Sequence, residues 1–208
     1  MAMTLTTPNT ILGALQPKGE TARIAAGVVT IILGTLLLTI SAKIQVPTWP
    51  VPVTLQTLAI AGLAAAFGAR IGVATVALYI LEGMSGLPVF AGATAGPAYI
   101  LGPTGGFIVG WLPMAYLIGR AADHGASGNF LKLFGIMVVG DAIVFALGFA
   151  WLVIAAAFVT SVGWLDQTNL IASGFQKAIQ PFIVWDLLKL AFAALTVAGG
   201  WQVLKKFR

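Results

Sequence analysis

The chain has 208 residues, 59% of them hydrophobic and 8% charged, with 11 Lys and Arg against 6 Asp and Glu for a net charge of +5. A soluble domain carries about 25% charged residues and tolerates only small exposed apolar patches, so this composition excludes one and points to a bilayer. With no cysteine and one histidine, His124, disulfides, thiolate chemistry, iron–sulfur clusters and the usual zinc sites are excluded too, and no metal or cofactor is expected.

In chain order, residues 1–20 are rich in Thr, Pro, Gly and Gln. They lack the apolar run of a cleavable signal peptide and are expected to form a cytoplasmic tail. Residues 21–208 are expected to form a single transmembrane domain, because each span needs about 20 apolar residues. Apolar runs at Ile24–Ala42, Leu55–Phe67, Ile71–Leu81, Gly105–Ile118, Phe130–Thr160 and Pro181–Leu204 are bounded by Pro, Gly or charged residues that break helices. They predict an all-α membrane protein with six transmembrane helices. The second and third runs are short and are joined at Gly68-Ala69-Arg70, so they are expected to tilt or to cover part of the bilayer. In the first helix Ala22, Ala26, Thr30 and Gly34 recur every four residues, a small-residue ridge that admits a neighbouring helix closely. That neighbour is either another helix of the bundle or a partner subunit.

With a cytoplasmic N-terminus, Lys18, Arg23, Arg70, Arg120, Lys132, Lys205, Lys206 and Arg208 fall inside, leaving Lys43, Lys177 and Lys189 outside or buried. The positive-inside bias therefore predicts both termini in the cytoplasm. The basic residues lie between apolar runs and form no patch, so no nucleic-acid partner is expected. Three segments then share the outer side: Ile44–Thr54, Gly83–Thr104 and Ser161–Gln180. They are apolar and rich in Gly, Pro and aromatics. Irregular backbone survives at membrane depth only when buried in protein or lining a cavity, so these loops are expected to re-enter the bundle as a lid over a ligand.

Polar groups inside apolar runs are functional candidates. Asp186 and Lys189 lie three residues apart on one helical face, either binding the polar ends of a small ligand or satisfying each other as an ion pair. Glu82 and Asp141 read more readily as structural. Between positions 86 and 106 six glycines allow close backbone approach, but no Lys follows them as in a Walker phosphate loop. That loop offers Tyr99 and Thr104 to a ligand, or is a tight packed turn. Trp49, Phe90, Tyr99 and Trp185 wall an apolar pocket or belong to the interfacial aromatic belt.

Four ordered stretches, Val51-Pro-Val-Thr-Leu-Gln-Thr-Leu, Gly86-Leu-Pro-Val-Phe-Ala-Gly, Gly102-Pro-Thr-Gly-Gly and Asp186-Leu-Leu-Lys189, resemble the BioY family, the biotin-binding S components of energy-coupling factor vitamin transporters. The resemblance runs from about Arg23 to the C-terminus and departs from the family at Val184-Trp185, where Pro-Gly is common. It implies a high-affinity biotin-binding subunit in the cell membrane, with Asp186 at the ureido ring, Lys189 at the carboxylate, and Gln56, Tyr99 and Thr104 as further pocket residues. It also implies a transmembrane coupling protein and two cytoplasmic ATPases as partners, docking on the ridge of Ala22, Ala26, Thr30 and Gly34. The alternative is an intramembrane enzyme acting on a lipid or prenyl substrate, with Asp141 and Asp186 as acid and base. It needs a second carboxylate near Asp186, which the spacing does not supply.

Overall fold

A computed structural model describes residues 9–15, 19–158 and 163–206. The first eight residues of the expected tail, the basic residues Lys18 and Arg208, and Ser161 at the start of the third outer segment lie outside the described residues. Among those described, six helices of at least twelve residues form a bundle: α2 (Glu20–Lys43), α3 (Gln56–Phe67), α4 (Ala69–Met84), α6 (Gly105–Asp123), α7 (Phe130–Phe158) and α9 (Ile183–Lys206). Short helices α1 (Ile11–Leu15), α5 (Pro97–Ile100) and α8 (Leu170–Ala178) accompany them. The long helices coincide with the six apolar runs to within a few residues. Three of them, α2, α7 and α9, are long and apolar enough on their own to cross a membrane.

The bundle exposes large apolar side chains on its outside. Along α2, Val29, Leu33, Leu36 and Ile40 are all more than half exposed, as expected of helices facing lipid rather than water. The interior is filled by Tyr79, Phe90, Ile108, Met114, Ile118 and Leu152, each at most 2% exposed. Helices α6 and α7 are the most intimate pair, because glycines remove the side chains that would keep them apart. A Cβ on Gly110 would lie 2.9 Å from the backbone of Val144, and one on Gly148 would overlap the ring of Phe107. Pro113 sits inside α6 without interrupting it.

Two expectations about the outer segments need correction. The chain is not wholly α: Gln45–Val46 (β1) pairs antiparallel with Val53–Thr54 (β2), Gln45 opposite Thr54 and Val46 opposite Val53. Pro47, Pro50 and Pro52 prevent helix here, since each lacks an N–H and fixes φ; the Trp49–Pro50 peptide is cis. The third segment is also not simply irregular. It holds α8, which Asn169 caps by accepting the Ala172 N–H at 3.1 Å, and which buries Ser173, Gly174 and Ala178. Its polar turn is ordered by Asp166, whose carboxylate accepts from the Thr168 N–H and hydroxyl at 2.9 and 2.7 Å; these bonds hold its pKa below the ordinary range.

The loops between α2 and α3, between α4 and α6, and between α7 and α9 gather at one end of the bundle. Lys43, the last residue of α2, donates from Nζ to the carbonyls of Phe90 and Gly92 at 2.7 and 2.8 Å. Trp151 Nε1 donates to the Gly102 carbonyl at 2.8 Å. At the opposite end the connections are tight: Ser127 donates to the Ala65 carbonyl and Asp123 accepts from the Ala69 N–H.

Candidate functional site

Asp186 falls in the first turn of α9, where a carboxylate is favoured by the helix dipole, and its own N–H donates to the Phe182 carbonyl at 2.8 Å. Lys189 follows one turn later on the same face. Both are buried, at 4% and 8% exposure, and they form an ion pair. The Lys189 ammonium also donates to the carbonyl of Thr54 in β2 at 2.9 Å. The alternatives left open by the spacing are therefore compatible: the two residues satisfy each other and together line a cavity.

That cavity has a volume of about 50 Å³ and lies where the looped end meets the bundle. Its walls come from β2 and α3 (Thr54, Gln56, Thr57), the α4–α6 loop (Phe90, Tyr99, Thr104), α6 (Phe107, Ile108, Trp111), α7 (Val144, Phe145) and the start of α9. It is aromatic on most sides and polar at the Asp186–Lys189 pair.

A chain of hydrogen bonds fixes the walls. Gln56, 3% exposed, donates from Nε2 to the Tyr79 hydroxyl at 2.9 Å and accepts from the Thr54 hydroxyl at 2.9 Å. Tyr79 in turn donates to the Val89 carbonyl at 2.6 Å. Phe90 stacks on Tyr99 with centroids 4.7 Å apart and meets Tyr79 edge-on at 5.5 Å. This packing is possible because residue 83 is glycine; a Cβ there would strike the Phe90 ring. Burial pushes the Tyr99 hydroxyl above its ordinary pKa, against the opposing pull of hydrogen bonds with Thr104 and the Ala91 backbone.

The structure brings together Asp186, Lys189, Gln56, Phe90, Tyr99 and Thr104, and leaves out two other expected residues. Trp185 is 60% exposed and lines no part of the cavity. One residue along a helix turns the side chain by about 100°, so with Asp186 inward Trp185 faces out. Trp49 is 61% exposed and borders a separate outer hollow of about 440 Å³, whose wall shares Pro52, Ala91, Tyr99 and Thr104 with the inner cavity.

The ridge on α2 is also divided. Ala22 is exposed and Ala26 and Thr30 are half-buried, but Gly34 is buried against Thr75 of α4. A four-residue repeat precesses by about 40° per step on a helix of 3.6 residues per turn, so its last member has rotated into the bundle. Glu82 accepts from the Thr35 hydroxyl at 3.1 Å, joining α2 to α4.

Sequence reasoning missed Thr54, whose backbone carbonyl accepts from the Lys189 ammonium and which side-chain chemistry cannot reveal. It also missed the α6 wall, although Thr104, Phe107, Ile108 and Trp111 have the i, i+3, i+4, i+7 spacing of one helical face. Asp141 on α7 is 6% exposed and lies one helical turn before Val144 and Phe145 of the cavity wall. The fold thus places a second buried carboxylate behind the wall of the cavity that Asp186 lines, a position that sequence spacing alone did not give.

The profile of the BioY family matches residues 14–206. The chain is 36% identical over 161 residues to the biotin transporter BioY of Thermotoga maritima, covering 77% of this chain and 87% of the relative. It is 34% identical over 163 residues to a probable biotin transporter BioY of Pyrococcus horikoshii, covering 76% and 86%. Among solved structures, the S component for biotin from an ECF-type ABC transporter superposes with a TM-score of 0.69 at 24% identity, over 86% of this chain and 92% of that one.

Proposed function

The chain belongs to the BioY family, and on that premise we propose that it captures biotin at the looped end of the bundle as the substrate-binding subunit of an uptake transporter. It is a membrane transport protein, not an enzyme. The observation that carries the reading of the site is the buried Asp186–Lys189 pair on the wall of an aromatic cavity. Biotin combines a ureido ring, an apolar bicycle and a carboxylate tail. A carboxylate acceptor, an ammonium donor and aromatic walls are the matching set.

Because Asp186 and Lys189 are joined in one ion pair, they present a single dipolar patch. This favours assigning both to the ureido end: Asp186 accepts N–H and Lys189 donates to the carbonyl. The carboxylate then lies toward Tyr99 and Thr104. Placing Lys189 at the carboxylate, as the resemblance implied, requires the pair to separate. A cavity of about 50 Å³ is well below the roughly 300–1,000 Å³ of small-molecule pockets. Admission of biotin therefore involves displacement of the loops at 44–54 and 83–104, which act as a lid.

In this reading all six long helices cross the bilayer within a single domain, α3 and α4 tilted or partial, with both termini cytoplasmic and the looped end outside. Release inward is coupled to a transmembrane coupling protein and two cytoplasmic ATPases. Ala22 and Ala26 on the outer face of α2 form part of the docking surface, whereas Gly34 belongs to the bundle. The proximity of Asp141 to Asp186 meets one requirement of an intramembrane enzyme, but the relatives are transporters.

Calorimetric titration of the detergent-purified protein with biotin, beside thiamine and riboflavin, tests the assignment. The expected result is tight one-to-one binding of biotin alone. A folded sample that ignores biotin would overturn it.

A further inference from the structure

Among the described residues three charged side chains are buried in the bundle: Asp141, Asp186 and Lys189. The last two line the cavity, and Asp141 does not. It precedes Val144 and Phe145, the α7 residues of the cavity wall, by three and four positions. That spacing puts it on the same helical face, one turn further from the loops. Its Oδ1 has no hydrogen-bond partner, and it lies within electrostatic reach of Asp186 and Lys189. The α6 side chains that approach the neighbouring Gly140 are Met114 and Ile118, both apolar.

A buried carboxylate oxygen without a partner is costly, so its presence behind the cavity wall calls for a role. Lys189 has three N–H donors; Asp186 and the Thr54 carbonyl engage its ammonium. If Asp186 accepts the ligand's N–H groups, ligand and ammonium compete for one carboxylate. A second carboxylate behind the pair removes that competition.

We propose that Asp141 is a positioning residue of the biotin site, which supplies counter-charge to Lys189 from behind the cavity while Asp186 shares its carboxylate between the ammonium and the ligand. This rests on the reading of Asp186 as the ligand's acceptor. Asp141 itself does not touch biotin. Its influence passes through the ammonium, and this separates it from a residue that merely packs.

A double-mutant cycle on the full-length protein in detergent tests the idea, with biotin affinity and ligand-free thermal stability both measured. Asp141→Asn should weaken biotin binding about tenfold without lowering the Tm of the ligand-free protein, because it removes a buried charge. In a Lys189→Gln background the same substitution should change affinity by less than about twofold, since residues acting as one unit are non-additive. Asp141→Ser serves as the second variant should Asp141→Asn not fold. Unchanged affinity in Asp141→Asn, with Asp186→Asn clearly weakened, would overturn the role of Asp141 alone. Equal losses with and without Lys189 would also overturn it. Unchanged affinity in Asp186→Asn would instead remove the premise.

Discussion

Asp186 and Lys189 illustrate how much one helical turn decides. Their spacing places both groups on one face, and the fold turns that face inward at an aromatic cavity. Asp186→Asn keeps the shape and removes the charge; it is expected to weaken biotin binding about tenfold or more, some 1.4 kcal/mol, measured by titration against the parent protein. Unchanged affinity would refute the contact. Lys43 works at a distance from the ligand, holding the Phe90 and Gly92 carbonyls. Lys43→Met should therefore leave the fold intact but loosen the loop, seen as faster amide exchange over residues 85–96 and faster biotin dissociation. These single residues were unequally legible. A buried charge pair announces itself in an apolar run, whereas the Thr54 carbonyl that Lys189 engages is backbone, present in every residue type.

Among the elements, the long helices were readable because apolar composition and helix-breaking boundaries coincide along the chain. The ribbon of β1 and β2 and the helix α8 were not. Two-residue strands have no periodicity to detect, and α8 depends on a cap at Asn169 inside a segment otherwise full of turn residues. The α2 ridge shows a different limit: its repeat was visible, but its slow rotation around the helix was overlooked. Two substitutions separate its parts. Gly34→Leu should lower the Tm or prevent folding, because the side chain collides with Thr75 and overpacking costs about 1–3 kcal/mol. Ala26→Leu should leave biotin affinity unchanged and reduce co-purification with the coupling protein; full recovery of the complex would remove Ala26 from the docking surface.

For the whole molecule, the apolar exterior and the gathering of loops at one end fit a protein that accepts a ligand from one side of a membrane. The proposed side, with the looped end outside, rests on the distribution of Lys and Arg. Because the chain has no cysteine, a Lys206→Cys variant is a clean reporter: an impermeant maleimide should label it in inverted vesicles and not in intact cells. Labelling from outside would reverse the topology. The bond from Lys189 to Thr54 has a wider consequence. It ties the polar end of the site to the ribbon that borders the outside, so ligand that draws on the ammonium also alters the energy of the ribbon's native pairing. Linkage makes such an effect reciprocal. On the proposed reading, the factor by which biotin shifts the pairing of Gln45 with Thr54 equals the factor by which forming that pairing shifts biotin affinity. On the proposed topology, occupancy of the site is then reflected in the order of a segment exposed at the looped end, where a partner, a lipid or an antibody can meet it.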